Sequence, residues 1–151
     1  MRRNLSQQEC KALLKQNYIG RLAYISAGSP HIVPITYSYN SDTNTIVSYS
    51  SEGHKIQEMR NNIIVCLAVD EIASISNWKS VLAQGTYEEL SRIDAKHMLH
   101  EFSDGVKKVI TDNYGEHPKY ISEFSAKINA EETPIVFRIN IRELMGKLRI
   151  T

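Results

Sequence analysis

The chain has 151 residues, of which 42% are hydrophobic and 23% are charged, and its formal net charge at pH 7 is +1. This length fits one domain with a continuous core, and this apolar content excludes an intrinsically disordered chain. The balanced charge gives no general attraction to nucleic acid or to an anionic membrane, so we expect neither partner, and any anion site must be local.

Neither the cysteines nor the apolar runs indicate a special environment. Cys10 and Cys66 lie far apart, without a CxxC motif or a zinc-ligand spacing, so we expect both to be reduced and buried and expect no metal site. No apolar run approaches the roughly 18 residues of a membrane span, and the N-terminus lacks the apolar core of a signal peptide. We therefore expect a single cytoplasmic domain over residues 1–151.

The first predicted element is a short amphipathic helix. Ser6 and Glu9 have the spacing of a capping box, in which each residue satisfies a backbone N–H near the other. Behind them Cys10, Leu13 and Leu14 fall on one helical face, which predicts that this face is buried.

Strand patterns follow the first helix. Segments 18–26, 31–39 and 45–50 are rich in β-branched and aromatic residues and are separated by AGSP and NSDTN, which predicts two antiparallel hairpins. Three further strands are predicted at 63–70, 80–90 and 134–141. About six strands of this kind are typical of a closed or split barrel.

The helical pattern returns between the last two strands. Ser91 is placed to cap a long helix, or a pair of helices, whose apolar residues recur at helical spacing: Met98, Leu99, Phe102, Val106, Val109 and Ile110. A further helical segment is predicted after Pro118, with Tyr120, Ile121 and Phe124 turned inward. The expected fold class is therefore α+β, mainly β, with helices packed on an antiparallel barrel.

The segment SYSSEGHK, residues 48–55, joins a predicted strand to a predicted helix. Ile56 and Met59 share a helical face, so the helix should run to about Asn61, with Ser51 as its cap. Its first turn would offer free N–H groups and the positive end of the helix dipole to an anion.

Side chains in the same segment add to this anion site. Ser50, Ser51, His54 and Lys55 can contribute hydrogen-bond donors and positive charge. The segment lacks the GxxxxGK[ST] and GxGxxG patterns of nucleotide-binding loops, so a monophosphate is the favoured ligand. The alternative is an ordinary serine cap followed by a solvated lysine.

Four stretches in succession carry a family resemblance: GRLAYISAGSPHIVPITYSY, SSEGHKIQEMRNN, WKSVLAQGTYEEL and IRELMGKLR. Together, over roughly residues 5–149, they resemble the FMN-binding split-barrel proteins related to pyridoxamine 5'-phosphate oxidase. Within that family, the chain is similar to the small flavin-nucleotide-binding and nitroimidazole-resistance proteins. The resemblance implies an FMN-binding split β-barrel that forms a homodimer, with the cofactor at the subunit interface.

The resemblance also implies which residues contact the cofactor. The FMN phosphate would be held by Ser50, Ser51, His54 and Lys55. The isoalloxazine ring would lie along the strand that contains Val33, Pro34, Ile35 and Thr36, largely against backbone groups. Ser80 would hydrogen-bond the ribityl chain or phosphate and Val81 would lie beside the flavin, while Trp78 would either wall the flavin site or fill a gap in the core.

Pro34 limits where this strand can lie in the sheet, and this argument does not depend on the resemblance. Proline has no N–H to donate to a strand ladder, so Pro34 requires a sheet edge, a bulge or a bound ligand beside it. An ordinary edge position and a ligand-facing position are both consistent with the sequence.

Departures from the family patterns limit the predicted activity. The vitamin oxidases end in an Arg-Leu-Ser-Pro type segment that grips pyridoxal, whereas this chain ends IRELMGKLRIT, so oxidation of pyridoxamine phosphate is not expected. Tyr49 stands where many nitroimidazole-reducing relatives have histidine, and it could donate a proton or simply pack. His31, His97, His100 and His117 are expected to lie on the surface.

Two functions remain open from the sequence. The first is an FMN-dependent oxidoreductase that uses a small-molecule electron donor, such as a nicotinamide nucleotide, and a small-molecule acceptor, with nitroreduction as one example. The second is a non-catalytic carrier or sensor that binds flavin or haem.

Overall fold

The structure is a computed structural model that describes residues 1–114 and 134–151. Its elements in chain order are β1 (Arg2–Asn4), α1 (Gln7–Gln16), β2 (Ile19–Ser26), β3 (Ser29–Thr36), β4 (Ser38–Asn40), β5 (Thr45–Ser50), α2 (His54–Asn61), β6 (Ile64–Ser74), β7 (Asn77–Glu89), α3 (Arg92–Val109), a π-helical turn (Ile110–Tyr114) and β8 (Ile135–Arg149). The mainly β, α+β prediction is confirmed, although eight strands are present where about six were predicted.

The sheet is antiparallel and curls into a barrel that does not fully close. Its strand order is β3-β2-β6-β7-β8-β5-β4, and β1 pairs with β8. The two end strands, β3 and β4, are consecutive in the chain and meet at Tyr37, so one continuous segment pairs first with β2 and then with β5. Within the part of the chain that the structure describes, no strand pairs with the outer edge of β3. This edge borders the split in the barrel.

Two apolar clusters stabilise the fold. The barrel interior contains side chains such as Leu22, Leu67 and Phe137, and α1 buries Cys10, Leu13 and Leu14 in the same cluster, as predicted. The second cluster lies between α3 and the strands β5 and β8, where Leu99, Phe102 and Val106 pack on Val47 and Val136. Burial of each such side chain contributes about 1.5–3 kcal/mol, so both clusters are major sources of stability. Cys66 is only half-buried, contrary to the expectation for both thiols.

Strand β8 is almost twice as long as predicted, and a bulge explains the difference. Opposite β7 the pairing shifts between Gln84 and Gly85, and Arg142 has no partner in the register. The bulge shifts the inward-facing positions, so the buried series passes from Ile139 to Leu144 and the simple alternation of the sequence is interrupted. The hairpin of β6 and β7 is also longer than predicted because it turns at residues 75 and 76.

The helix starts agree with the sequence in one case and differ in another. The Ser6 hydroxyl accepts from the Glu9 N–H at 3.2 Å, and the Glu9 carboxylate accepts from the Ser6 N–H at 3.0 Å, which confirms the capping box. The predicted Ser51 cap of α2 is wrong, because Gly53 occupies the cap position and no side chain caps this helix. Ser51 lies too far ahead of His54, the first helical residue, to cap it.

The third helix follows Ser91, as predicted, although the Ser91 hydroxyl donates to the Asp94 carboxylate rather than capping a backbone N–H. The helical segment predicted after Pro118 lies outside the described residues. None of the helices in the described ranges is long and apolar enough to cross a membrane.

Candidate functional site

The first turn of α2 lies against the hairpin of β2 and β3. Ile56 and Met59 are buried in the barrel core and fix the orientation of α2. The His54 ring lies 5.3 Å, between centroids, from the ring of His31 on β3. Further along the split, the Ser48 hydroxyl of β5 donates to the Thr36 carbonyl at 2.7 Å. The fold therefore places the segment of residues 48–55 next to β3, through the contacts of His54 with His31 and of Ser48 with Thr36.

The N-terminus of α2 has open backbone donors. Its first intrahelical bond runs from the Gln57 N–H to the Gly53 carbonyl at 3.1 Å, so the preceding N–H groups have no intrahelical acceptor. No side chain caps these groups, and the first turn contains no acidic residue. The positive end of the helix dipole is therefore uncompensated by α2 itself.

Lys55 lies in this same first turn. Its side chain is half-buried, and the burial lowers the pKa of its ammonium group from the ordinary value. Within residues 1–114 and 134–151 it forms no ion pair. A cation is unfavourable both in a desolvated position and at the positive end of a helix. An anion bound here would relieve both effects, and the donors fit a phosphate group.

The Ser50 hydroxyl and the Glu52 carboxylate of the segment already have partners within the chain. The buried Ser50 hydroxyl donates to the Ser51 carbonyl at 2.9 Å, and Ser51 is exposed. Glu52 pairs with Arg60 at 2.5 Å, and Arg60 also donates to Glu89 at 2.9 Å. The Glu52 carboxylate is thus neutralised within the chain, so it adds little repulsion toward an incoming anion.

His54 belongs to a group of side chains that the sequence analysis did not bring together. The Tyr24 hydroxyl lies 2.9 Å from His54 Nδ1, and the Ser26 hydroxyl lies 3.3 Å from His54 Nε2. The Tyr24 ring also stacks on His31, with centroids 5.4 Å apart and planes 18° apart. We call Tyr24, Ser26, His31 and His54 the imidazole cluster.

The pairing of Tyr24 with His31 within this cluster has a signal in the sequence. The turn between β2 and β3 contains only Ala27 and Gly28, which both have positive φ values, of 50° and 77°. Such two-residue turns fix the register of a hairpin, and this register places Tyr24 directly opposite His31. The contact with His54 has no local signal, because it depends on how α2 crosses the barrel.

The register also shows which backbone groups of β3 face the split. Residues 26 and 29 flank the turn as a hydrogen-bonded pair, so 29, 31, 33 and 35 bond to β2, while 30, 32, 34 and 36 direct their backbone groups outward. Pro34 is therefore an edge proline whose missing N–H breaks no ladder bond. The outward N–H of Ile32 and carbonyl of Pro34 can meet a ligand along this edge.

The third predicted group is not brought to the split. Trp78, Ser80 and Val81 lie on β7, which is separated from β3 by β2 and β6. The Val81 side chain is buried in the barrel core, and Ser80 is half-buried. Trp78 lines a separate surface pocket of about 620 Å³, beside Asn17.

Tyr49 packs against α3. Its ring meets the buried ring of Phe102 edge-on, with centroids 5.4 Å apart, in the cluster beneath α3. This contact agrees with the packing alternative for Tyr49.

Comparisons with known proteins identify relatives of this chain. A family model described as pyridoxamine 5'-phosphate oxidase matches residues 6–147. The uncharacterized protein RA0666 of Rhizobium meliloti (strain 1021) is 33% identical over 147 residues, which cover 96% of this chain and 93% of that protein.

Solved structures share the fold of this chain. The crystal structure of an FAD-binding protein (mll6688) from Mesorhizobium loti is 32% identical, covers 100% of this chain and 98% of its own, and has a TM-score of 0.75. A candidate 5-nitroimidazole antibiotic resistance protein from Bacteroides thetaiotaomicron shares the fold, at 16% identity, 98% and 89% coverage and a TM-score of 0.68. The chain belongs to the pyridoxamine 5'-phosphate oxidase family.

Proposed function

We propose that the protein binds a flavin nucleotide at the split and acts as an oxidoreductase. The observation that carries the proposal is the N-terminus of α2, which no described side chain caps, with the half-buried Lys55 in its first turn forming no ion pair among the described residues. The phosphate would accept hydrogen bonds from these amides and from Lys55 and His54, and the isoalloxazine ring would lie along β3. The FAD-binding relative from Mesorhizobium loti supports flavin as the ligand class.

We propose FMN as the flavin. A terminal phosphate monoester carries up to two negative charges and several acceptor oxygens at one point, which matches donors that converge on a single helix start. FAD is the competing ligand, because the Mesorhizobium loti relative binds it. The phosphates of FAD link two esterified groups, so FAD has no terminal phosphate monoester. Haem is a third candidate ligand, and the absorption spectrum of the purified protein would distinguish it from flavin.

The chemistry would come from the flavin, which exchanges electrons reversibly between a nicotinamide nucleotide and a small-molecule acceptor. The residues of this chain would bind and orient the ring. The outward N–H of Ile32 and the outward carbonyl of Pro34 are placed to hydrogen-bond the ring edge, and such bonds adjust its reduction potential. A carrier or sensor would bind the flavin in the same way without turnover.

We also propose a homodimer. The outer face of the barrel exposes Ile32, Ile64 and Met145 at 70%, 52% and 46% of their surfaces. A groove of about 470 Å³, lined in part by Ala23 and Cys66, runs along this face. Covering these apolar groups with a second copy would be favourable, and that copy could bring its β7 group to the flavin. Light scattering should give twice the chain mass, and a monomer that binds flavin tightly would contradict this part of the proposal.

Titration of FMN, FAD and riboflavin tests the site. Lys55→Ala removes a charge-assisted contact worth about 1.5–3 kcal/mol, so FMN affinity should fall roughly ten- to hundredfold. Riboflavin has no phosphate, so its affinity should stay constant. Lys11→Ala is the matched control, because Lys11 is also a half-buried lysine but lies on α1. Equal losses for FMN and riboflavin would refute the phosphate assignment.

Spectroscopy of the purified protein separates the functions. Flavin bands that bleach on addition of a reduced nicotinamide support the oxidoreductase. The addition is made under anaerobic conditions, and flavin bands that persist after it support a carrier or sensor. A Soret band would indicate haem and contradict the proposal.

A further inference from the structure

The connectivity of the imidazole cluster resembles a catalytic triad. A serine hydroxyl lies next to His54 Nε2 at 3.3 Å, and a third polar group, the Tyr24 hydroxyl, lies next to His54 Nδ1 at 2.9 Å. In a Ser-His-Asp triad the third group accepts a hydrogen bond from Nδ1–H, so Nε2 carries no hydrogen and is free to take the proton of the serine. Whether this cluster can do the same depends on which nitrogen of His54 carries hydrogen.

The burial of Tyr24 settles the positions of these hydrogens. Tyr24 is only 7% exposed. Among the residues that the structure describes, its hydroxyl has one hydrogen-bond partner, His54 Nδ1. If Nδ1 carried the hydrogen, the phenol O–H would be left without an acceptor in a buried position, which is unfavourable. Tyr24 therefore donates, Nδ1 accepts, and the neutral imidazole carries its hydrogen on Nε2.

With this assignment, the hydrogen bonds of His54 run in the opposite direction from those of a catalytic triad. Because Nε2 already carries a hydrogen, it donates toward Ser26 and cannot remove the Ser26 proton. The cluster consequently supplies no activated nucleophile. It supplies an N–H donor at an exposed position beside the first turn of α2.

We propose that Tyr24 is a positioning residue that holds His54 in the Nε2–H tautomer, so that this N–H donates to the phosphate of the flavin nucleotide. This inference rests on the proposed function of the site. The Ser26 contact at 3.3 Å is long for a hydrogen bond to a hydroxyl, and a phosphate oxygen in its place would give a shorter, charge-assisted bond.

A neutral donor suits the surroundings of His54. Lys55 is the next residue, the positive end of α2 lies beneath it, and His31 is 5.3 Å away. A second cation here would be repelled by the first before any ligand binds. The stacked contact of His31 with Tyr24, whose planes are 18° apart, keeps the phenol in line with Nδ1.

Nuclear magnetic resonance of protein labelled with ¹⁵N-histidine tests the tautomer without any flavin. The wild type should show His54 protonated on Nε2, and Tyr24→Phe should convert this signal into a mixture of tautomers. Tyr37→Phe is the control, because it also removes a buried phenol hydroxyl, one that donates to the Leu14 carbonyl at 2.7 Å. Protonation of Nδ1 in the wild type would overturn the inference.

Flavin titrations of the same variants test the role of the tautomer. Tyr24→Phe should weaken FMN about three- to tenfold, the effect of one net hydrogen bond, and should leave riboflavin unchanged. Tyr37→Phe should change neither ligand. Equal weakening of FMN and riboflavin by Tyr24→Phe would mean that Tyr24 acts only on the fold, which overturns the proposal.

Two substitutions of His54 test the same tautomer, so the test does not require Tyr24→Phe to fold stably. The amide NH₂ of His54→Gln reaches the position of Nε2, whereas that of His54→Asn lies nearer the position of Nδ1. The glutamine variant should therefore bind FMN more tightly than the asparagine variant, by about threefold or more. The reverse order would contradict an Nε2–H donor.

The combined results separate the two proposals. If the tautomer is as assigned but Lys55→Ala affects FMN and riboflavin equally, the phosphate site is absent and the role given to Tyr24 is lost with it. If Lys55→Ala acts on FMN alone while Tyr24→Phe changes neither the tautomer nor FMN affinity, the flavin site stands and this inference fails.

Discussion

The two shorter helices of this protein begin in opposite ways. At the start of α1, Ser6 and Glu9 cap each other, and the Glu9 carboxylate also pairs with Arg3 at 2.8 Å. At the start of α2, a glycine stands at the cap, no described side chain caps the amides, and the first turn contains Lys55 and no acidic residue. The first arrangement satisfies the helix start within the chain, and the second provides no side-chain acceptor for its amides.

This difference separates a helix start that is capped within the chain from one that we propose to be a binding site. Both helices bury an apolar face in the same core, so packing does not distinguish them. The distinction lies in the sign of the first-turn charge and in the presence of a cap. An acidic first turn stabilises a helix by itself, whereas a basic first turn stabilises it only together with an anion.

Converting the start of α2 into a start like that of α1 should have the largest effect. Gly53→Asp places a capping carboxylate where no atom lies within 4 Å of the added Cβ. The cap should raise the free energy of unfolding by a few tenths of a kcal/mol. The same carboxylate should weaken FMN about a hundredfold or more, because like charges in a binding site cost several kcal/mol.

Calorimetry and denaturant unfolding measure the two effects of Gly53→Asp. Gly53→Asn is the control, since it offers a similar cap without the charge and should weaken FMN less. If Gly53→Asp binds FMN as tightly as the wild type, the start of α2 is not the phosphate site.

Removing the cap of α1 should have a smaller and purely structural effect. Ser6→Ala deletes the acceptor of the Glu9 N–H, which should lower the free energy of unfolding by about 1 kcal/mol. FMN affinity should not change. Denaturant unfolding and flavin titration of one preparation test this prediction, and a loss of FMN affinity would break the distinction between the two helix starts.

The pH dependence of α1 should give the smallest effect. Hydrogen bonds from the Arg3 guanidinium, aided by the Ser6 N–H, lower the pKa of Glu9 to about 2. An unfolded glutamate titrates near roughly pH 4.3, so the stabilisation is complete above that pH and is lost as the pH falls toward about 2. The difference in melting temperature between wild type and Glu9→Gln should shrink over this interval.

The exposed carboxylate of Glu143 provides a comparison for the Glu9 measurement. Glu143→Gln should not reproduce the change. A difference between wild type and Glu9→Gln that stays constant from neutral pH to about pH 2 would show that the Arg3 contact is not formed in solution.

The sequence predicted those features that depend on neighbouring residues. The capping box of α1 needs only Ser6 and Glu9, and the hairpin of β2 and β3 needs only alternating apolar residues and a short turn. The second half of β8 was missed because its bulge is defined by pairing with β7. The cap of α2 was misplaced because Ser51 and Gly53 are both common at caps, and the end of β5 decides between them.

The candidate site also combines features that neighbouring residues predict with features that only the fold determines. The residue types that predict an anion site at residues 50–55 are visible in the sequence, because they lie within one turn. The contacts of His54 with Tyr24 and Ser26 were not predictable, since they form only when the barrel curls and brings α2 to β2. Trp78 lies far from the split within one chain, and its role was inferred from the family resemblance alone.

The edge of β3 has a further consequence for solubility. An exposed strand edge is a template on which strands of other molecules can add, as in amyloid growth. Pro30 and Pro34 occupy outward positions of this edge, and each lacks the N–H that an added strand would need. Pro30 and Pro34 therefore make this edge a poor template for the addition of strands and a poor nucleus for fibres.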